Sequence, residues 1–328
     1  MFNRRNFLGT VGLSAGAVSL GFGLDVGAQE APKLGKIVVG FPAGGSNDSI
    51  ARMLAEKMQG RYAETLIVEN KAGAGGRLGV DAVRRAPADG GTILQTPGSI
   101  LTLYPHIFKS LPYDALRDLT PVSSVCTLDF ALVVGPATPA KTIAEYVDWC
   151  KVNPRQASYG SPAAGASPHF VGLMFGQAAG LNLLHVGYKG AAPAVQDLIG
   201  GQIPAYFGVL PDVTPHLTGG RLRVLATSGS RRSAITPDVP TFQEAGFQDL
   251  SVQEWYGMLL PGNAPEHIVS ALNRSIQLAL RDREVVERFK ALNVDAAWST
   301  PEAFAERIRT ERARWAPIVK ASGFKMEE

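Results

Sequence analysis

Short apolar runs alternate with amphipathic segments along most of the chain, which predicts alternating β-strands and α-helices. In the first third, strands are predicted at 36–41, 65–70 and 92–97, with helices at 49–58 and 77–86 between them. Strands that alternate with helices in this way are typical of parallel βαβ units, whose helices cover both faces of a sheet. This region is therefore predicted to be an α/β structure.

A second series of the same kind follows after a stretch rich in proline and glycine. Its strands and helices are predicted at 131–135, 142–152, 157–161, 167–180, 182–188, 191–200, 203–209 and 222–228, and three helices at 265–281, 282–292 and 301–321 close the chain. A chain that passes into a second lobe and returns crosses twice, and two crossings make a hinged cleft in which closure traps a ligand. We predict an α/β fold of two lobes, each a doubly wound sheet with flanking helices.

The crossings are expected near 125–130 and 252–258, which places the first lobe at 29–128 plus 255–328 and the second at 129–254.

Residues 1–28 are predicted to be a cleaved export signal, which places the protein in the periplasm. Arg4 and Arg5 precede a Gly/Ala-rich apolar run, and small residues follow at the spacing that a signal peptidase needs. The paired arginines fit the twin-arginine route, with general secretion as the alternative. The run is short and glycine-rich for a membrane span of about 20 residues.

The charge pattern argues against two classes of partner, and the two cysteines leave two structural possibilities open. The 32 basic and 29 acidic residues are well mixed, for a net charge of +3, so no basic stripe indicates nucleic acid or a membrane surface as a partner. Hydrophobic residues make up 45% of the chain, which is ample for a buried core. Cys126 and Cys150 fit either a disulfide or two buried thiols.

Three glycine-rich loops lie where predicted strands lead into helices, the edge of a parallel sheet at which ligands bind. They span 42–48, 71–76 and 162–167. Glycines let a ligand approach the backbone, and the following helix presents free amides and the positive end of its dipole. Ser167 is expected to be the N-cap of its helix. Ordinary turns also favour glycine and serine, but three such loops facing one cleft indicate an anion site.

A carboxylate fits these loops better than a phosphate or a dinucleotide. The phosphate-loop pattern is absent, and residues 73–78 depart from the dinucleotide fingerprint at its last position. Hydrogen bonds to a charged group contribute about 1.5–3 kcal/mol each, and micromolar binding needs about 8 kcal/mol, so four or so donors with apolar contact suffice. The GxSxG pattern at 12–16 lies inside the export signal, and the five histidines lack metal-ligand spacing. No cofactor, metal or catalytic residue is predicted.

The chain after the export signal resembles one family along essentially its whole length. The segments that carry the resemblance are GFPAGGSND, VENKAGAGG, ADGGTIL, LPYDALRDLTPV, YGSPAAGASPH, HVGYKGAAPAVQDLIGGQI, LRVLATSGSRR, PDVPTFQEAG and ERARWAPIVKASG. In this order they resemble the Bug-type solute receptors of tripartite tricarboxylate transporters. The resemblance implies a monomeric periplasmic "Venus flytrap" that binds a small organic carboxylate and delivers it to the permease subunits of a membrane transporter.

The resemblance also implies a set of ligand-binding residues, because in this family two opposing loops grip one carboxylate of the ligand, partly through water. The candidates are Phe41, Ala43, Gly44, Gly45, Ser46, Asp48, Ser161, Gly165, Ala166, Ser167, His169, Lys189 and Gly208. Phe41 is expected to line the cleft, Asp48 to fix the first loop, and Lys189 to begin another cleft-facing helix. Gly208 departs from the family, since many relatives have aspartate there; the difference argues against an amino-acid ligand.

Two other functions remain open from the sequence. One is an exported α/β enzyme that acts on a carboxylate or an ester. The other is a receptor of the same shape that feeds a sensor system instead of a permease.

Overall fold

The computed structural model describes residues 32–326, so the predicted export signal lies outside the described residues. The strands are β1 (Leu34–Val39), β2 (Thr65–Asn70), β3 (Thr92–Pro97), β4 (Leu119–Val134), β5 (Ser158–Ser161), β6 (Leu184–Gly187), β7 (Ala205–Val209), β8 (Arg223–Thr227), β9 (Gln253–Pro261) and β10 (Val294–Ala296). The helices are α1 (Ser46–Met58), α2 (Arg77–Arg84), α3 (Gly98–Thr102), α4 (Tyr104–Ile107), α5 (Ile143–Val152), α6 (Ser167–Ala179), α7 (Ala191–Ile199), α8 (Glu266–Leu280), α9 (Arg283–Leu292) and α10 (Pro301–Ser322).

The strands form one ten-stranded sheet in the order β2-β1-β3-β9-β4-β7-β5-β6, with β8 and β10 also paired to β4. Strand β1 is parallel to β2 and β3, and β5 is parallel to β6 and β7. Strands β4 and β9, in the middle of the sheet, are antiparallel to their neighbours. The sheet is therefore mixed, whereas the alternating pattern alone predicted parallel units.

The long strand β4 joins the two halves of this sheet. It pairs with β9 from Leu119 to Asp129, and from Phe130 onward it pairs with β7 and β8. The chain therefore passes into the second half within a continuous strand, and β9 carries it back. The lobe boundaries given above stay a prediction.

Helices cover both faces of the sheet because alternate residues of the strands point to opposite sides. Ile37 and Val39 of β1 lie in the cluster that contains Leu54 of α1. Val38, between them in sequence, lies in a different cluster with Val80 of α2. The apolar run of β1 is thus buried on both sides, which fixes the loops at its end against two helices.

The start of α6 differs from the prediction that Ser167 is its N-cap. Ser167 is the first helical residue, and Ala166 occupies the cap position without a side-chain bond. The amides of His169 and Phe170 both bond to the Ala166 carbonyl, so the first turn closes on that residue. Helices α3 and α4 and strand β10 were not predicted.

Cys126 and Cys150 are buried free thiols. Between residues 32 and 326, no helix has the length and apolar character needed to cross a membrane.

Candidate ligand-binding cleft

A cavity of about 50 Å³ lies between loops from both halves of the sheet. Its lining residues are Phe41, Pro42, Gly45, Ser46, Asn47, Asp48, Pro97, Ser99, Pro162, Ala163, Ala166, Pro168, Ala191, Val209, Asp212, Glu254 and Tyr256. Three of them are acidic, and none of these lining residues is Lys, Arg or His. We call this space the acidic cavity.

Asp48 holds the first loop, as the family resemblance implies. Its Oδ2 accepts from the Gly44 amide at 3.1 Å and from Arg52 Nε at 3.0 Å, and its Oδ1 accepts from Asn70 Nδ2 at 2.9 Å. Burial raises the pKa of this carboxyl, but the bonds from Arg52, Asn70 and Gly44 outweigh burial, and the pKa lies below its ordinary value. An ionised Asp48 therefore fixes the turn, in which Gly44 has a left-handed φ of 91°.

Ser46 is bound from the opposite half of the sheet. Its amide donates to Oδ1 of Asp212 at 3.0 Å, and its hydroxyl lies 2.7 Å from the Tyr256 hydroxyl. Asp212 follows β7, so this hydrogen bond bridges the cleft. Ser46 is a ligand-binding candidate from the family resemblance, but its amide is already bound to the Asp212 carboxylate.

The absence of a side chain at Gly208 leaves room for the Tyr206 ring, which contacts Asp212. A Cβ at Gly208 would overlap the ring of Tyr206, so the aspartate found in many relatives does not fit here. The Tyr206 hydroxyl instead donates to Oδ2 of Asp212 at 2.8 Å. The acid missing at 208 is thus supplied to the cleft by Asp212, and burial raises the pKa of its carboxyl.

The second loop, at 161–169, contributes Pro162, Ala163, Ala166 and Pro168 to the cavity wall. Behind this wall, the Gly165 amide donates to His169 Nδ1 at 3.0 Å, and the His169 ring stacks on His185 at 3.7 Å. Burial, followed by the neighbouring His185, lowers the pKa of His169 to about 3. His169 is therefore neutral and fixes the loop, and it is not among the cavity-lining residues.

Ser161 has the same supporting role, since its hydroxyl lies 2.8 Å from His185 Nε2.

Glu254, on β9, binds the start of helix α3 at the cavity. Its Oε1 accepts from the amide of Gly98, the first residue of α3, at 3.2 Å and from the Trp255 amide at 3.0 Å. The residue is only 4% exposed, and burial raises the pKa of its carboxyl to about 7.

Asn47 presents an unused donor at the same cavity. Gln95 Nε2 donates to the Asn47 carbonyl at 2.8 Å and to its Oδ1 at 2.7 Å, which sets the orientation of the side chain. Nδ2 of Asn47 has no hydrogen-bond partner among residues 32–326, although the residue is only 5% exposed. A buried donor without a partner costs about 1–3 kcal/mol, so this position favours an acceptor brought by a ligand.

A second cavity, of about 240 Å³, shares Phe41, Pro42, Pro162 and Ala163 with the first. Its other lining residues are Gly40, Gly73, Ala74, Gly75, Gly76, Arg77, Phe108, Ala164, Gly187, Tyr188, Lys189, Gly190 and Met326. This wall contains two cations, Arg77 and Lys189, and none of its residues is Asp or Glu. We call this space the basic cavity.

Arg77 is held at this wall by two contacts. Its Nε donates to the Ala74 carbonyl at 3.0 Å, and its guanidinium lies 4.0 Å from the centre of the Phe108 ring. Lys189 is exposed and forms no ion pair within 32–326. Both cations remain available to an anion.

The structure places six of the thirteen sequence-predicted residues in the walls of the two cavities. Phe41, Gly45, Ser46, Asp48 and Ala166 line the acidic cavity, and Lys189 lines the basic one. Ala43 and Gly44 are exposed and outside both linings, and Ser167 lines neither cavity. Five lining residues were not among the candidates from the sequence: Asn47, Arg77, Asp212, Glu254 and Tyr256. Asn47 and Arg77 lie at the starts of α1 and α2, Asp212 follows β7, and Glu254 and Tyr256 lie in β9, so tertiary structure is needed to bring them together.

Comparison with known proteins identifies the family. The model of the family described as "Tripartite tricarboxylate transporter family receptor" matches residues 50–324. The chain belongs to this family. Protein BugT of Bordetella pertussis is 35% identical over 293 residues, which cover 89% of this chain and 90% of BugT.

Solved structures of the family have the same fold. The periplasmic binding protein BugD matches with a TM-score of 0.86 and 32% identity, over 91% of this chain and 99% of BugD. Rpa4515 of R. palustris, solved with adipate, matches with a TM-score of 0.85 and 26% identity, over 89% of this chain and 98% of that one. These matches confirm the predicted two-lobed periplasmic-binding-protein fold of this tricarboxylate-transporter receptor.

Proposed function

We propose that this receptor captures a small organic carboxylate in the cleft between its loops at 41–48 and 161–169 and delivers it to the permease subunits of a tripartite tricarboxylate transporter. It acts in the periplasm, as a monomer, after removal of residues 1–28. Ligand favours the closed state because both loops contact it only when the lobes are together.

The observation that carries this proposal is a cavity lined by residues of both loops, among them Asn47, whose Nδ2 has no hydrogen-bond partner among residues 32–326. The starts of α1 and α6 lie at the same cavity, and helix starts present amides and a positive dipole end to an anion. An oxygen of a ligand carboxylate is the acceptor that fits such a position.

The basic cavity supports a ligand with a second acid group. Arg77 and Lys189 lie next to the acidic cavity without acidic neighbours in the wall, so an anionic group there has attractive partners. The adipate-bound relative carries a ligand with two acid groups. We therefore expect diacids to bind this receptor more tightly than monoacids of similar size.

Binding without catalysis fits the side chains at the cleft. Members of this family are binding receptors. His169 and His185, which burial keeps neutral, stack on each other behind the loop instead of lining the acidic cavity. The Ser46 hydroxyl lies 2.7 Å from the Tyr256 hydroxyl, and the lining of the acidic cavity contains no histidine to act as a general base.

A thermal-shift screen tests the proposal with acetate, succinate, adipate, citrate, benzoate and aspartate. A ligand present at 100 times its Kd stabilises the folded state by about 2.7 kcal/mol, so a binding acid should raise the Tm clearly. Gly45→Val should remove this shift, because a Cβ there would lie 3.6 Å from the Ala191 Cβ and the extra methyls would enter the cavity.

The matched control is Ala291→Val, a substitution at an exposed residue of α9 outside both linings. It should keep the wild-type response. No shift with any acid, or an unchanged shift in Gly45→Val, would contradict the proposal. Delivery is tested by uptake of the best-binding acid in cells with and without the receptor gene.

A further inference from the structure

We propose that Glu254 donates a hydrogen bond from a protonated carboxyl to the acid group of the ligand, so that capture of an organic acid takes up one proton from solution. This inference rests on the proposed function and adds a pH dependence and a named donor to the same site. The reaction is binding of one proton and one ligand carboxylate to the receptor, with no covalent bond changed.

The position of Glu254 makes it a ligand contact. It lines the acidic cavity, and it is held rigidly because the amides of Gly98 and Trp255 both bond to Oε1. These two bonds leave Oε2 as the oxygen that can carry a proton. Since the residue is only 4% exposed, solvent cannot screen a charge on it effectively.

The charges around the cavity require such a proton when a carboxylate enters. Arg52 neutralises Asp48 through an ion pair of 2.9 Å, but no lining residue of the acidic cavity supplies a cation to Asp212 or Glu254. Two carboxylates in contact in a buried site do not both stay ionised, and one proton shared between them removes the repulsion. Asn47, another lining residue of this cavity, has an Nδ2 donor without a hydrogen-bond partner among residues 32–326.

Glu254 is a better proton carrier than Asp212. Both oxygens of Asp212 already accept hydrogen bonds, one from the Ser46 amide and one from the Tyr206 hydroxyl, and such donors favour the ionised form. Burial has raised the pKa of Glu254 to about 7 before any ligand binds. A nearby ligand carboxylate raises it further, because a like charge disfavours ionisation.

The other titratable and charged groups that influence Glu254 do not remove this requirement. They are Glu311, Tyr256, Tyr104, Cys126 and, through its ion pair with Glu311, Arg307. Glu311 raises the pKa of Glu254. The Arg307 charge is engaged by Glu311, with Nε and Oε1 2.9 Å apart. The surroundings therefore favour the protonated form.

The expected binding curve follows from a carboxyl that must be protonated in the complex. With a pKa of about 7 in the free receptor, Glu254 is protonated in nearly all molecules at pH 6 and in roughly one in ten at pH 8. We expect the Kd for a ligand that carries only acid groups to be about tenfold weaker at pH 8 than at pH 6. Acetate and benzoate are fully ionised across this range, whereas the second carboxyls of succinate and adipate and the third of citrate still carry some protons at pH 6 and are ionised at pH 8.

Isothermal titration calorimetry tests the proton directly. The probe is whichever of succinate and adipate gives the larger thermal shift, titrated at pH 8 in phosphate, HEPES and Tris, whose ionisation enthalpies differ. The slope of binding enthalpy against buffer enthalpy should report uptake of about one proton. Glu254→Gln should bind the acid with a permanent amide donor, show no uptake, and have a Kd that is the same at pH 6 and pH 8.

Glu64→Gln, at an exposed residue, is the matched control and should keep the wild-type uptake and pH dependence. Binding by the wild type without proton uptake overturns the inference, as does an unchanged pH dependence in Glu254→Gln. Proton release on binding also overturns it. If neither diacid nor any other acid binds the wild type, the proposed function itself fails, which the thermal-shift screen detects separately.

Discussion

Glu254→Gln should also change how the stability of the ligand-free receptor depends on pH. Burial raises the pKa of Glu254 from 4.5 to about 7, so the folded state holds this proton more tightly than the unfolded state does. The contribution of protonated Glu254 to the free energy of unfolding is fully present below pH 4.5 and is lost as the pH rises through 7. A shift of about 2.5 units corresponds to about 3.4 kcal/mol, of which roughly 2.5 kcal/mol is lost between pH 5 and pH 8.

Glutamine keeps the shape of the side chain and an Oε1 that can accept from the Gly98 and Trp255 amides, but it does not titrate. The free energy of unfolding of Glu254→Gln, measured by urea denaturation and taken relative to wild type, should therefore increase by about 2–3 kcal/mol from pH 5 to pH 8. Glu64→Gln should show no such trend. Parallel pH profiles for wild type and Glu254→Gln would refute the reasoning that this buried carboxyl is protonated near neutral pH.

Three further substitutions test contacts that shape the cleft. Asp48→Ala removes the acceptor of three hydrogen bonds in the first loop and should lower the urea unfolding free energy by about 1–3 kcal/mol. Gly208→Asp, which introduces the residue expected from the family, should cost about 1–3 kcal/mol in the same assay because its Cβ overlaps the Tyr206 ring. Gly98→Ala places a Cβ against the Trp255 indole and should lower the Tm by several degrees.

Two further variants test whether the losses of stability come from the overlaps with Trp255 and Tyr206. Gly45→Ala, where the backbone φ is −84° and the nearest atom to a new Cβ is 3.6 Å away, should change the Tm much less than Gly98→Ala does. Tyr206→Ala combined with Gly208→Asp should cost less than the sum of the two single changes, because loss of the ring makes room for the aspartate. Simple additivity would contradict the overlap.

The sequence contained enough to predict most elements of the fold. The predicted strand 65–70 coincides with β2, and the apolar run of β1 and the helical periodicity of α1 place the first loop between them. The full length of β4 was missed because Pro121, Ser123 and Ser124 interrupt its apolar pattern, although pairing with β9 satisfies its backbone. Tertiary pairing, which one strand's pattern does not contain, decides that element.

Prediction of the site was more limited. Glycine-rich turns and the family resemblance led to Gly45, Ser46 and Asp48, which lie together at the acidic cavity. The resemblance also noted the absence of an acid at 208. It could not show that the Tyr206 ring fills this place and holds Asp212 in the cleft, since that requires the orientation of side chains on β7 and after it.

A crystal structure of the receptor with the best-binding acid from the screen tests the central claim most directly. We expect one acid group of the ligand in the acidic cavity, within hydrogen-bond distance of Asn47 Nδ2 and Glu254. Both the 41–48 and the 161–169 loops should contact this group. An acid found outside this cleft, or bound by only one of the two loops in a fully closed molecule, would contradict it.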